Sequence, residues 1–599
     1  MRILNLPDNL RAAYEILGAR LGLLDTDISL TVREQDEMRI SLCGDQAEII
    51  CGSLSSFSRL LGILAEKVND GDFTVSETPA FNTLSCMLDV SFGSPLTVES
   101  VKEYLEYMAL FGFNQLQFYM EDMYEIKDRP YFGYLRGRYT KEELREIDDY
   151  AYSLGIEVVP CIETLGHMSK YLRWAEARDV KDTAGVLLAD SEKTYELIGQ
   201  MLDAASTPFR SKRIHIGCDE TYGLGTGNYL KRGGTKTPFE LFLSHIGRVC
   251  DMCRERGLRP MMWSDMLCST FSRGGGNWNA DIEIPEYVKD ALPENLELVF
   301  WHYGQIKGAE SYMIPKHRAI GKDPIFAGAA QTWQANLPDL YFGLLANESS
   351  LEECKKLGTK EVMITVWNYT HTVYQTSLLD LCQYGELCYS DGKALKRRFE
   401  FLTGASYDAF LHMSDFGHPY TTNEEKKKYK FGRSEDGNAY FRTDILLNVK
   451  EKEWRRESRT EHYRTAAEYF KSIVAEGGKW QFLYEYSYRA INVMHKKSLI
   501  VEALPKAYCS GDRATLTRIA EEYIPEYLKA LDLLSDAHGY HRDRFLRPFG
   551  GECVDADYGK MKERARSTKR RLQGYLKGEI RTLEEVSEEK LDYQWGLFL

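Results

Sequence analysis

Across the 599 residues, no apolar run approaches the roughly 20 that a membrane helix needs. Basic charge is not in excess either. Seventy-six Lys and Arg face 90 Asp and Glu, a net charge of −14, which argues against nucleic acid or an anionic membrane as the main partner. No apolar stretch follows the first basic residue in Met1-Arg-Ile-Leu-Asn-Leu-Pro-Asp8, so no signal peptide is expected. The 13 cysteines are odd in number and evenly spread. They read as reduced core thiols of a cytoplasmic protein, not as a disulfide framework. Twelve histidines are scattered, and Cys250-x-x-Cys253 has no second pair, so no metal and no cofactor is expected. Repeats and low-complexity tracts are absent too. What is present is a chain 43% hydrophobic, enough for several cores and for three or four units at roughly 100–200 residues each.

Residues 1–80 carry helix-like spacing at Asn9–Leu21 and Ser53–Val68, with short strand-like runs at Ile28–Val32, Met38–Cys43, Ala47–Cys51 and Thr74–Glu77. They suggest a small α/β domain, closed by Pro79. Residues 81–400 alternate differently. Strands are expected at Leu84–Val90, Gln115–Met120, Glu157–Ile162, Ile214–Gly217, Pro260–Trp263, Leu296–Trp301, Pro324–Ala327 and Val362–Val366. The helices between them are expected at Val98–Phe111, Thr140–Leu154, Ser191–Ala205, Thr237–Arg256, Ser311–Ile320, Leu351–Leu357 and Leu378–Tyr389. Thr237-Pro238 is an N-cap with Pro at the first helical position, and Gly155 and Gly257 sit where C-terminal glycines belong. Eight β/α units of this length suit a (β/α)8 TIM barrel, with an open doubly wound sheet as the rival. Residues 401–599 read as a C-terminal α-helical domain, with helices at Glu461–Val474, Phe482–Leu504, Arg513–Leu534 and Met561–Lys577. Pro505, Gly511 and Gly539 punctuate them, and the charge run Glu424–Lys428 reads as a solvated loop.

A barrel carries its chemistry at the C-terminal ends of its strands. Those ends hold Asp89, Glu121, Glu163, His167, Asp219, Glu220, Asp265, His302, Tyr303 and Asn368. Four of the nine tryptophans, Trp263, Trp301, Trp333 and Trp367, fall at or beyond the ends of four consecutive strands. Singly, each tryptophan could be core and each acid a helix N-cap. Together, aromatic faces for the C–H side of a pyranose and carboxylates for its hydroxyls suggest a carbohydrate pocket. Adjacent Asp219-Glu220 is the sharpest signal. Two-carboxylate glycosidases keep their acids roughly 5–5.5 or 6.5–9.5 Å apart across the scissile bond, which neighbouring residues hardly achieve. One carboxyl protonating the leaving oxygen while its neighbour holds the substrate suits substrate-assisted hydrolysis better.

His215-Ile-Gly-Cys-Asp219-Glu220 resembles the His-x-Gly-x-Asp-Glu signature of glycoside hydrolase family 20, the β-N-acetylhexosaminidases. Met87–Ser91, Tyr119–Asp122, Pro130–Tyr134, Gly137–Thr140, Pro160–His167 and Phe326–Ala329 agree, over about residues 80–400. The closest likeness is to the cytoplasmic bacterial branch. The resemblance implies Glu220 as general acid and then base, Asp219 as acceptor of the acetamide N–H, and Tyr303 as donor to the acetamide oxygen. Trp263, Trp301 and Trp367 would wall the pocket, with Trp333 close by. Asp89, Glu163 and His167 would support Asp219, Glu220 and the sugar hydroxyls; for His167 a structural hydrogen bond is the competing role. Glu121, Asp265, His302 and Asn368 complete the expected substrate-binding set. The partner is a glycan or small oligosaccharide, and a homodimer is compatible with the chain.

The sequence departs from the family where hydroxyls are read. No Arg follows Asp89 in Asp89-Val-Ser-Phe-Gly-Ser-Pro95, His302 stands where relatives often carry Asp, and Asn368-Tyr-Thr-His371 replaces an acidic pair. Altered sugar choice is therefore expected, with N-acetylgalactosamine a candidate. The rivals are a glycosidase using Glu163 with Glu220, a silent sugar-binding barrel, and an α/β scaffold with another activity.

Overall fold

The computed structural model describes residues 1–273, 276–303, 308–333, 336–417, 436–452 and 459–591; the Glu424–Lys428 run lies outside them. These residues form two compact units. The first holds 1–330, 343–368 and 377–403; the second holds 331–342, 369–376 and 404 onward.

The first unit opens with a five-stranded mixed sheet. Its strands are β1 (Arg2–Asn5), β2 (Ser29–Glu34), β3 (Arg39–Cys43), β4 (Gln46–Cys51) and β5 (Phe73–Ser76), in the order β1-β2-β4-β3-β5. β1 was not expected from the sequence: it is four residues long, mostly exposed, and exists only by parallel pairing with β2. Helix Leu54–Lys67 starts at Ser53, whose side chain accepts the Ser56 N–H, and is buried along nearly its whole length. Within it Arg59 donates to Glu77 at 2.5 and 2.7 Å and to Glu386 at 2.9 Å. Arg398 also donates to Glu386 at 2.9 Å and pairs with Glu66. The small sheet domain is thereby tied to the barrel through buried ion pairs.

Eight parallel strands close the barrel: β6 (Thr83–Asp89), β7 (Gln115–Tyr119), β8 (Glu157–Cys161), β9 (Arg213–His215), β10 (Arg259–Trp263), β11 (Glu297–Trp301), β12 (Ile325–Ala330) and β13 (Glu361–Val366). The open-sheet rival is excluded by the β13–β6 pairing, Glu361 with Thr83 through Val366 with Leu88. Local signals set the helix ends. Thr140 and Thr237 form capping boxes with Glu143 and Glu240, and Gly155 and Gly257 adopt φ of 81° and 67°. Helix Leu340–Leu357 begins eleven residues before the stretch expected from its last turns. β9 is shorter than expected because its continuation leaves the sheet for left-handed backbone at Gly217 and Cys218.

In the second unit, helices Thr460–Glu476, Gln481–Ser510, Ile524–Phe545 and Gly551–Lys577 pack together. Pro505 and Gly539 do not punctuate, since both lie inside helices; Gly511 does, capping at φ 70°. The 331–342 and 369–376 segments are embedded here. The Asn336 amide donates to the Tyr486 and Tyr558 hydroxyls at 3.1 Å each, and Tyr486 donates to the His371 carbonyl at 3.1 Å. No strand follows Val366 among the described residues, and none of their helices is long and apolar enough to cross a membrane.

Candidate active site

The acid pair is displayed by backbone strain. Gly217 and Cys218 take φ of 70° and Glu220 φ of 45°, while Glu121 and His167 on the neighbouring loops take 47° and 50°. Non-glycine residues in this region carry a conformational cost and persist where surrounding contacts impose them. Here the contacts are visible. The Gly217 N–H donates to His215 Nδ1 at 3.1 Å, the Cys218 N–H to Glu163 Oε2 at 3.2 Å, and the Glu220 N–H to Asp265 Oδ2 at 3.1 Å. A Cβ at position 217 would lie 2.1 Å from Glu163 Oε2, so glycine is required both for its φ and for the space. Burial holds His215 neutral, with its pKa down at about 3.

His167 connects the two acids. Its Nε2 lies 3.2 Å from Asp219 Oδ2 and 3.6 Å from Glu220 Oε2. Burial alone would lower the imidazole, but the Asp219 carboxylate outweighs it and the pKa rises to about 11. The same pair works in reverse on Asp219: burial would raise it, and the imidazolium holds it below its ordinary range. Glu220 is raised, first by burial and then by the Asp219 charge. Glu163 is driven well above its ordinary range, first by burial and then by the Asp219 charge. The result at neutral pH is an anionic Asp219 beside a Glu220 with raised proton affinity. Glu220 is the one opened to water, with its side chain 42% exposed against 11% for Asp219.

The remaining sequence-predicted residues divide. Asp89 and Asn368 bond to each other: Asp89 Oδ2 accepts the Asn368 N–H and the Asn368 amide donates to the Asp89 carbonyl, both at 2.9 Å. Asp89 Oδ1 accepts Ser91 N–H and hydroxyl at 2.7 and 2.8 Å. These two residues latch the first barrel strand to the last. Burial still raises Asp89 to about 7. Asp265, raised to about 8 by burial and the Asp219 charge, braces the Glu220 backbone. His302 turns toward Glu310 at 2.8 Å, which also accepts from Ser350. Trp263 is fully buried in the barrel's inner layer against His215, while Trp301 and Trp367 pack on that layer half-buried. Tyr303 stacks on Trp301 at 5.0 Å, and its hydroxyl bonds the Thr365 and Trp367 side chains. Trp333 belongs to the second unit.

Some residues that the sequence reasoning did not single out join the site. Phe92 packs between Tyr119, His167 and Trp367. Trp278 meets Trp301 edge-on at 5.4 Å. Arg136, from the loop after β7, brings a buried cation beside the Asp89 loop. Its guanidinium donates to the Ser91 carbonyl and lies 2.6 Å from Asp122 and 3.5 Å from Glu121. Burial outweighs that attraction and raises Glu121 to about 7. The Gly-Arg-Tyr-Thr motif lay one residue away, but nothing in the local pattern tells a buried arginine from a surface one. Cys250 and Cys253 are buried in helix Pro238–Glu255, and among the described residues no group of three or more His, Cys, Asp or Glu is arranged to hold a metal.

Two family models match. "Glycosyl hydrolase family 20, catalytic domain" covers residues 84–320, and "Glycoside Hydrolase 20C C-terminal domain" covers 408–596. The chain belongs to glycoside hydrolase family 20. By class this family 20 member is a β-N-acetylhexosaminidase, a glycoside hydrolase. Hexosaminidase D of Bos taurus is 29% identical over 255 residues, 40% of this chain and 68% of the bovine protein. Hexosaminidase D of Homo sapiens is 28% identical over 255 residues, and the match spans about half of its length, 49%. The fold is shared with the exo-β-N-acetylglucosaminidase of Vibrio harveyi (TM-score 0.51, 17% identity, 67% of this chain and 74% of that one). It is shared also with the β-N-acetylhexosaminidase of Streptomyces coelicolor (TM-score 0.51, 19% identity, 68% and 92%).

Proposed function

We propose that this family 20 enzyme is a retaining exo-β-N-acetylhexosaminidase that uses the substrate's own acetamide as nucleophile. The observation that carries the proposal is the division of labour within one adjacent pair: Asp219 held anionic by His167, and Glu220 raised and open to water. The acetamide oxygen attacks C1, the bond from C1 to the leaving oxygen breaks, and Glu220 gives its proton to that oxygen. Asp219 accepts the acetamide N–H and stabilises the positive charge of the oxazolinium. Tyr303 donates to the acetamide oxygen, and the fixed geometry makes a weak nucleophile an intramolecular one. Glu220, now a carboxylate, takes a proton from water, which opens the ring at C1 and restores the β configuration.

Three observations weigh against the two-carboxylate alternative: Glu163 is fully buried, raised well above its ordinary range and bonded to the Cys218 N–H, while Asp89 and Asp265 accept backbone donors. The test is turnover of 2-acetamido against 2-hydroxy β-glycosides, together with Glu220→Gln. Turnover confined to the acetamido series is expected, as is a loss of roughly 10²–10⁴-fold in kcat for the variant. Equal processing of both series refutes the mechanism.

The sugar choice extends this reading. His302 is occupied by Glu310, Asn368 by Asp89, and Arg136 by Glu121 and Asp122. With the hydroxyl-reading groups rearranged, we propose that the enzyme lacks a plain N-acetylglucosaminide preference and accepts N-acetylgalactosaminides. A strong preference for nitrophenyl β-GlcNAc over β-GalNAc defeats this. The free cysteines support a reducing, cytoplasmic setting.

A further inference from the structure

Glu220 marks the direction in which the leaving group departs, on the reading proposed above, because its proton must reach the leaving oxygen. Near it stands a largely exposed ring. Tyr222, two residues on, is 63% exposed. The chain that carries it is well anchored. The Tyr222 N–H donates to the Glu220 carbonyl at 2.6 Å, and Leu224 N–H to Thr221 at 3.1 Å. Asp182 accepts Gly225 N–H at 2.7 Å and Tyr229 N–H at 2.8 Å. The ring's far end is held too: its hydroxyl bonds the side chain of Asn277, on the loop after β10. That hydroxyl is close enough to Glu220, Asp265 and Asp219 for their charges to act on it. An aromatic ring held at both ends, largely exposed and beside the acid, is not part of the core.

We infer that Tyr222 and Asn277 form the subsite for the leaving group, and that the group it takes is a neutral pyranose. The ring face matches the C–H face of a sugar, and the Asn277 amide and the phenol offer hydrogen bonds at its rim. The nearby carboxylates disfavour an acidic sugar there. The natural substrates are then oligosaccharides whose terminal acetamido sugar is linked to a second sugar.

The full chain is assayed on three β-glycosides of one 2-acetamido sugar: methyl, pyranosyl (a disaccharide) and seryl. Tyr222→Ala is expected to lower the kcat/KM ratio of disaccharide to methyl glycoside roughly tenfold, mainly through KM, the worth of one good stacking contact. Tyr222→Phe, which keeps the ring, should retain most of that ratio. An unchanged ratio in Tyr222→Ala overturns the inference, and so does an equal fall for the seryl glycoside, which would assign the ring to a peptide. If the wild type cleaves none of the three, the proposed function itself fails, and the subsite falls with it.

Discussion

Two clusters of buried charge in the first unit are balanced differently. Between the small sheet domain and the barrel, the buried Arg59 and Arg398 face Glu66, Glu77 and Glu386, with the half-exposed Arg397 closing the cluster against Glu66. There Glu386 is held below its ordinary range, burial notwithstanding, by its arginines. At the barrel mouth, seven acids (Asp89, Glu121, Asp122, Glu163, Asp219, Glu220 and Asp265) lie against Arg136, which pairs with Glu121 and Asp122, and His167, which pairs with Asp219 and Glu220. There all of the acids except Asp219 are raised. A compensated network fixes geometry; an uncompensated one stores proton affinity, which is what acid catalysis uses.

The comparison can be broken from either side. Arg59→Met leaves Glu77 and Glu386 without their main partner and should cost about 3–5 kcal/mol in stability, read by chemical denaturation. Asp219→Asn should act mainly on activity: a loss of roughly 10²–10³-fold in kcat, with a smaller loss of stability than Arg59→Met because His167 can shed its proton once its carboxylate partner is gone. If Asp219→Asn instead unfolds the protein, the mouth is a structural network like the first. Gly217→Ala should cost about 1–3 kcal/mol and lower activity, since the new Cβ meets Glu163 and the residue keeps a positive φ.

The last test is a pH slope. Asp265 has a folded pKa of about 8, well above the roughly 3.9 of an unfolded aspartate. Between those values the folded state binds the extra proton, so this group makes stability fall as pH rises from about 4 to about 8. Glu386 acts with the other sign: its depressed carboxyl stabilises above the unfolded value of roughly 4.3 and loses that contribution as pH falls through the folded pKa. Asp265→Asn should flatten the decline between about pH 4 and 8 in denaturation curves, while Glu386→Gln should leave that decline in place.

Much of the barrel was legible because its signals are local. Strand-length apolar runs, Thr140 and Thr237 as caps, and glycines at 155 and 257 report backbone preferences within a few residues. The misses have physical reasons as well. β1 depends on a partner 27 residues away, and Pro505 and Gly539 are tolerated inside helices held by neighbours. Among site residues, the Asp219-Glu220 pair stood out because its chemistry is written in adjacent letters. What each surrounding residue does was not readable: Asp89 meets Asn368 across 279 positions, and His302 faces inward to Glu310.

Sequence alone determined the eightfold alternation, the acid pair and the glycine that precedes it, because periodicity, capping and left-handed φ are properties of short segments. Only the tertiary structure decided which carboxyls are spent on backbone, that His167 pairs with Asp219, that Arg136 pairs with Asp122, and that Tyr222 stands exposed beside the acid. Burial and through-space charge set those outcomes, and neither exists until distant parts of the chain are brought together.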